Sequence, residues 1–444
     1  MRTTELTVND LRNLENKIKD KSAEVGIVGL GYVGLPLALA FAEAGFNVTG
    51  IDSEKSRVSK ITRGISYLLD IESARLKKAV NSGRLKATSS PSALRRVDTI
   101  IICVPTPLTK TKEPDLTYIV NATNEIARYL RLGHLVILES TTYPGTTREI
   151  VLPILESTGL KVGVDYFLTF SPERIDPGTK KFTIKNTPKV VGGMEPKSTR
   201  FAALLYGHIA DRVIEVSTPE VAEMDKVFEN VFRSVNIAMV NELAKLCEKM
   251  NINVWEVIKA ASSKPFGYMP FYPGPGVGGH CIPLDPYYLA SKAREYFFHT
   301  RFIELAAEIN ETMPEYIVQR IVETLNTKSK SVKGAKILIL GVAYKKDIED
   351  LRESPALRVI ELLLEKKAKV NYHDPYIAEI KEGNTRIRSI KLENKTLSDY
   401  DCVVITTDHT CYKLDSIAKN SKLVFDTRGC TVGIKADNII RLGV

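Results

Sequence analysis

Cys281 is the residue of this chain best suited to covalent chemistry. It closes the run Phe266-Gly-Tyr-Met-Pro-Phe271-Tyr272-Pro-Gly-Pro-Gly-Val-Gly278-Gly-His280-Cys281-Ile-Pro-Leu284-Asp285-Pro286. Proline fixes φ and removes an amide donor, while glycine permits positive φ and close backbone approach. Such a run makes neither a helix nor an inner strand, yet its Phe, Met and Tyr are too apolar for a solvated linker. It reads as an ordered loop that sets Cys281 against a ligand. Asp285-Pro286 has the chemistry of a helix start, with Asp285 as N-cap and Pro286 as first helical residue. Cys281 then lies just ahead of a helix N-terminus, whose partial positive charge favours thiolate over thiol. A poised thiolate suits attack on a carbonyl carbon. A structural thiol in a Pro/Gly-rich crossover fits the same loop.

Other polar groups recur where backbone elements end. Lys226 and Asn230 stand four apart in a helix expected from Thr218, its N-cap, to about Met250, among apolar Val221, Val227, Val231 and Ala238. A lysine on such a face either snorkels to solvent or acts in a site. Glu173 follows the strand Tyr166-Phe-Leu-Thr-Phe and is an acid/base candidate or a surface carboxylate. Thr106, Ser140 and Thr141 follow the strands beginning at Asp98 and His134. Strand C-terminal ends line the ligand crevice of open α/β sheets, so these hydroxyls either contact ligand or shape turns.

The elements that must hold these groups are legible too. Glu24-Val-Gly-Ile-Val-Gly29-Leu-Gly31-Tyr32-Val33-Gly34 is a short apolar strand running into G-x-G-x-x-G, followed by a helical stretch to Ala44, a stop at Gly45 and a strand ending in Asp52. This order within about 30 residues is that of a dinucleotide site: glycines admit the pyrophosphate to a helix N-terminus and the acid accepts from the ribose. Asp52 favours NAD over NADP, while Arg57 is a cation able to meet a 2′-phosphate. Beyond the polar stretch Lys328–Gly334, a degenerate copy begins at Ala335-Lys-Ile-Leu-Ile-Leu-Gly341 and runs to Asp374. Gly341-Val-Ala-Tyr-Lys345 replaces the fingerprint, so a different ligand is expected there. Lys345 and Arg428 are basic groups at strand ends, suited to phosphate.

The 444 residues suffice for two or three domains. No apolar run approaches the roughly 20 residues that span a bilayer, and the N-terminal stretch is a polar, amphipathic helix candidate without a signal peptide's apolar core. Six scattered cysteines (103, 247, 281, 402, 411, 430) form no CxxC pair or metal-ligand set. A cytoplasmic location with reduced thiols and no metal is expected. Net charge +9 comes without a Lys/Arg block, so neither nucleic acid nor membrane is an expected partner.

With its motifs placed, the chain after residue 22 resembles the UDP-glucose/GDP-mannose dehydrogenase family. The resemblance is carried by Gly29-x-Gly31-x-x-Gly34, Val104-Pro-Thr106-Pro, Glu139-Ser140-Thr141, Ser171-Pro-Glu173, Lys226-x-x-x-Asn230, Gly278-Gly-His280-Cys281-x-Pro-x-Asp285, Lys345 and Arg352-Glu-Ser-Pro. It implies an α/β fold of two Rossmann-like doubly wound domains joined by a central helical dimerisation domain. The boundaries expected are 1–217 for NAD, 218–327 for the helices and the cysteine loop, and 328–444 for UDP.

The resemblance also implies NAD-dependent four-electron oxidation of a nucleotide-sugar C6 hydroxyl to a carboxylate, by a homodimer. In that scheme Lys226, Asn230 and an Asp285-held water surround the C6 oxygen, with Thr141 beside the water. Cys281 captures the aldehyde and Glu173 activates water for thioester hydrolysis. Gly29, Gly31, Tyr32, Val33, Gly34, Asp52, Arg57, Thr106, Ser140, Thr141 and Arg352 face the cofactor. Glu173, Lys226, Asn230, Phe271, Tyr272, Gly278, His280, Lys345 and Arg428 face the UDP-sugar. His280 and Leu284, where UDP-glucose enzymes typically carry Ser and Lys, and Pro177, four beyond Glu173 where an acid is typical, resemble the branch acting on UDP-N-acetylhexosamines. The 265–276 loop resembles the N-acetylglucosamine enzymes more than the N-acetylmannosamine ones.

Overall fold

The computed structural model describes residues 8–68, 70–109, 113–175, 181–279, 281–382 and 385–444. They form two units: Met1–Glu229 with Tyr287–Phe297, and Asn230–Pro286 with Phe298–Val444.

The first unit is built on strands β1 (Glu24–Val28), β2 (Asn47–Ile51), β3 (Leu85–Thr88), β4 (Thr99–Ile102), β5 (Leu135–Leu138), β6 (Phe167–Phe170), β7 (Lys189–Gly193) and β8 (Val213–Val216). They lie in the order β3-β2-β1-β4-β5-β6-β7-β8, parallel throughout except for the β6–β7 pair. Central strands β4 and β5 are buried along their whole length, which is why they read as unbroken Ile, Val and Leu runs. The order reverses between β1 and β4, and the crevice outside the carboxyl ends opens there. The expected N-terminal helix is Val8–Lys19, with Leu14 and Ile18 in the core. The helix after β1 spans Gly34–Ala44 and stops at Gly45, whose φ of 106° is left-handed.

The second unit repeats the plan. Strands β9 (Lys336–Leu340), β10 (Lys369–His373), β13 (Cys402–Ile405), β14 (Val424–Asp426) and β15 (Ile439–Arg441) form an all-parallel sheet in the order β10-β9-β13-β14-β15. β11 (Glu379–Glu382) and β12 (Thr385–Arg388) make a separate hairpin. The chain is thus an α/β protein with two Rossmann-like sheets and, between them in sequence, a helical region.

That region opens with the long helix Pro219–Lys249, as its sequence implied; the Thr218 hydroxyl accepts the Val221 N–H at 3.4 Å. Two expectations need correcting. The stretch over roughly 301–325, which reads in sequence as a single helix after the cysteine loop, forms two, Arg301–Glu311 and Met313–Thr327. Pro314 has no N–H to continue the first helix but suits the first turn of the second. The helix expected to start at Asp285 starts at Cys281 and runs to Glu295, with Pro286 inside it. Pro283 falls among the amides that have no intrahelical partner anyway, and Pro286 removes only one bond. Cys281 is therefore the first residue of the helix rather than a residue ahead of it.

Candidate active site

In the first unit the glycine fingerprint meets its steric demands. A Cβ at Gly34 would stand 1.8 Å from the Gly29 carbonyl oxygen, so no side chain fits where helix crosses strand. A Cβ at Gly31 would meet nothing within 4 Å, and that open space is what a pyrophosphate needs. Asp52 is buried; one carboxylate oxygen accepts the Leu30 N–H at 2.8 Å and the other the Glu54 N–H at 2.8 Å. A carboxylate has about four acceptor positions, so capacity remains for ribose hydroxyls. Arg57 lies 3.4 Å from Asp52 and 2.9 Å from Glu54, a cation already matched by two acids. Tyr32 is exposed, and Val33 stands at the helix N-cap. These residues fit a dinucleotide.

The strand-end hydroxyls are set by local bonds. Ser140 Oγ accepts the Val104 N–H at 2.9 Å. The Thr106 carbonyl accepts the Tyr288 hydroxyl. Thr141, the residue after Ser140, is half-buried. The turn that follows is fastened by a residue the sequence reading missed, Glu223. Its carboxylate accepts Gly145 N–H at 2.6 Å, Thr147 N–H at 2.8 Å and the Thr147 hydroxyl at 2.7 Å. Burial pushes the Glu223 carboxyl up to about 7, against the pull of those donors. Lys226, one turn further on, is 8% exposed, so it does not snorkel. Glu173 is half-buried: one oxygen accepts the Ile175 N–H at 2.6 Å, and the other lies 3.8 Å from the buried Lys189 ammonium.

In the second unit Asn230 Nδ2 donates to Asp285 at 2.5 Å, and both residues are buried. The loop that leads to Cys281 is seated by residues absent from the sequence reading. Asn241 accepts the Gly274 N–H at 2.9 Å and donates to Asn310, which in turn donates to the Ser234 carbonyl at 3.1 Å. Tyr344 packs under the glycine pair: a Cβ on Gly278 or Gly279 would come within 2.6 or 2.9 Å of its side chain. Gly279 also donates to the Arg352 carbonyl at 2.9 Å. Phe271 meets Phe232 edge-on at 5.8 Å, and Tyr272 stacks on Trp255 at 6.3 Å. His280 lies outside the described residues, as does Pro177. A signal for the missed asparagine was present: Glu223, Lys226, Asn230, Ser234 and Asn241 recur at helical spacing and are all buried.

The degenerate copy keeps the turn but not the cradle. Gly341 donates to the His373 carbonyl as Gly29 does to that of Ile51. Asp374, the counterpart of Asp52, accepts Val342, Ala343, Tyr376 and Ile377 N–H groups and faces the His409 ring at 3.0 Å. Burial would raise this carboxyl, but His409 and the backbone donors hold it below the ordinary range. Its acceptor positions are spent, and the next helix begins only at Pro355. A ribose-binding acid and a helix N-terminus at the turn are therefore both missing, as expected for a different ligand. Among the basic candidates, Arg428 sits 3.8 Å from Asp408 and against Gly274, Arg352 makes a two-pronged pair with Asp350, and Lys345 is half-buried.

Two nucleotide-type sheets, the first with a glycine turn and a buried acid that fit a dinucleotide, define a nucleotide-binding architecture of two Rossmann-like sheets. The chain belongs to the UDP-glucose/GDP-mannose dehydrogenase family: residues 23–210 match its NAD binding domain, 220–312 its central domain and 338–432 its UDP binding domain. The UDP-N-acetyl-D-mannosamine dehydrogenase of Pyrococcus horikoshii is 37% identical over 410 residues, covering 91% of this chain and 95% of the relative. The UDP-N-acetyl-D-glucosamine 6-dehydrogenase of Pseudomonas aeruginosa is 36% identical over 395 residues, covering 88% and 92%. The solved UDP-D-ManNAc dehydrogenase structure from P. horikoshii superposes with a TM-score of 0.86 at 34% identity, covering 95% of this chain and 99% of that one. Among the described residues no helix is long and apolar enough to cross a membrane.

Proposed function

We propose that this NAD-dependent nucleotide-sugar dehydrogenase oxidises the C6 hydroxyl of a UDP-N-acetylhexosamine to the carboxylate, with UDP-N-acetyl-D-glucosamine as substrate. The observation that carries the substrate class is the pair of relatives at 36–37% identity over about nine-tenths of the chain, both acting by name on UDP-N-acetylhexosamines. The glucosamine choice rests on the loop from Phe266 to Tyr272. UDP-N-acetyl-D-mannosamine is the second reading, favoured by the name of the P. horikoshii relative.

Gly29, Gly31, Tyr32, Val33, Gly34 and Asp52, with Thr106, Ser140, Thr141 and Arg352, would hold NAD, which would supply the hydride acceptor for two successive oxidations. Lys226, with Asn230 and a water held by Asp285 and Thr141, stabilises the oxyanion that develops at O6. The Cys281 thiolate adds to the C6 aldehyde carbon, which retains the intermediate as a thiohemiacetal and then a thioester. Glu173 takes a proton from the water that forms the new C–O bond while the C–S bond breaks and Cys281 leaves as thiolate. Lys345 and Arg428 meet the UDP, and Phe271, Tyr272, Gly278 and His280 the sugar.

We assign residues 1–217, 218–327 and 328–444 to the cofactor, central and UDP parts, and infer a cytoplasmic homodimer. Phe232, Met239 and Leu246 are exposed and stand seven apart on the long helix, an apolar stripe suited to a second copy. Steady-state kinetics with UDP-GlcNAc, UDP-ManNAc, UDP-GalNAc and UDP-glucose test the substrate. Buried partners left unpaired by UDP-glucose cost roughly 1–3 kcal/mol, so kcat/KM for it should be about 10- to 100-fold lower. UDP-glucose equal to both N-acetylated sugars would end the acetamide-pocket reading.

A further inference from the structure

The ammonium of Lys189 lies beneath Glu173. Lys189 opens β7 and is 7% exposed; its Nζ is bonded to one oxygen of Glu139, whose other oxygen accepts the Tyr206 hydroxyl at 2.5 Å. The same ammonium sits 5.0 Å from the Tyr206 ring centroid and 3.8 Å from Glu173 Oε2. One buried cation thus faces two carboxylates, and the pair with Glu139 is complete without Glu173. A buried Lys–Glu pair is no more stabilising than apolar side chains of the same volume. Stability alone therefore leaves its position against Glu173 unexplained.

We propose that Lys189 is a positioning residue for Glu173: anchored by Glu139 and Tyr206, its ammonium, 3.8 Å from Glu173 Oε2, fixes the place and charge environment of the carboxylate that takes a proton. The inference rests on the role proposed above for Glu173 in thioester hydrolysis. The groups facing this cluster are Glu139, Tyr206 and Cys103, with Arg174 next to Glu173 and tied to Glu229. Burial, and then Glu139, push the Cys103 thiol and the Tyr206 hydroxyl well up, so both are neutral. Burial would lower the Lys189 ammonium, but Glu139 and Glu173 beside it hold it above its ordinary range. The positive charge against Glu173 is therefore permanent across the working pH range.

Two variants give opposite signs. Lys189→Met combined with Glu139→Gln removes the cation without stranding a buried carboxylate. The acid limb of kcat should move up by about one pH unit, with kcat about tenfold lower on that limb and KM unchanged. Glu139→Gln alone leaves the ammonium to Glu173, and the limb should move down. A structural role would lower the melting temperature without moving the limb in either direction. An unmoved limb in either variant, while Glu173→Gln forms no acid, overturns the assignment to Lys189 alone. Wild-type acid formation by Glu173→Gln removes the base role of Glu173 and this proposal with it.

Discussion

Asn230 Nδ2 stands 2.5 Å from the Asp285 carboxylate, 55 residues on in sequence, with both side chains buried. The amide orients a carboxylate that the mechanism proposed above sets beside O6. Asn230→Ala removes this donor and should cost about 1–3 kcal/mol of stability. If Asp285 holds the water at O6, the first oxidation should also slow by about 10- to 100-fold. Single-turnover NADH formation and a denaturant melt separate the two effects; an unchanged rate would take Asn230 out of the chemistry.

Cys281→Ala should lower acid formation by on the order of a thousandfold or more, because the proposed thiohemiacetal and thioester cannot form without the thiol. Cys281→Ser should accumulate a hemiacetal or ester adduct visible by mass spectrometry of the intact protein. Two NADH per sugar from the Ala variant at the wild-type rate would exclude covalent capture.

NAD should be preferred over NADP, since buried Asp52 repels a 2′-phosphate and Arg57 is already matched by Asp52 and Glu54. Comparing kcat/KM for the two cofactors tests this, and equal values would refute it. Gly34→Ala forces a Cβ against the Gly29 carbonyl at 1.8 Å and should destroy cofactor binding, read by fluorescence titration with NADH.

His134 carries a pH signature. It is fully buried: Nδ1 accepts the Arg131 N–H at 3.2 Å, so Nε2 holds the proton and donates to the Val97 carbonyl at 3.0 Å. Burial, helped by Arg131, lowers its pKa to about 4. The native state therefore binds fewer protons than the unfolded state between about 4 and 6.5, and stability falls as pH drops through that window. Across it the wild type should lose on the order of 3 kcal/mol relative to His134→Gln. A pH-independent difference between the two melts would contradict this.

Much of this protein was readable from local chemistry. G-x-G-x-x-G after an apolar strand, Gly45 as a helix stop and Thr218-Pro219 as a helix start each depend on residues within a turn of one another. The internal copy was readable for the same reason, since Gly341 directly follows β9 and Asp374 directly follows β10, each a short signal at the end of its own strand. Tertiary structure decided what those groups bond to. Asp285 has the local chemistry of an N-cap, but a donor from the long helix claims its carboxylate, and the helix starts four residues earlier at Cys281. Glu139 reads as a motif letter, yet it is buried against Lys189, 50 residues away. Gly278 and Gly279 read as loop flexibility until Tyr344 is found beneath them. Turn and helix preferences are set by a residue's own backbone and nearest neighbours, so they survive in the one-dimensional string. The partner of a buried polar group is set by which distant strand or helix packs against it, and only the folded chain brings the two together.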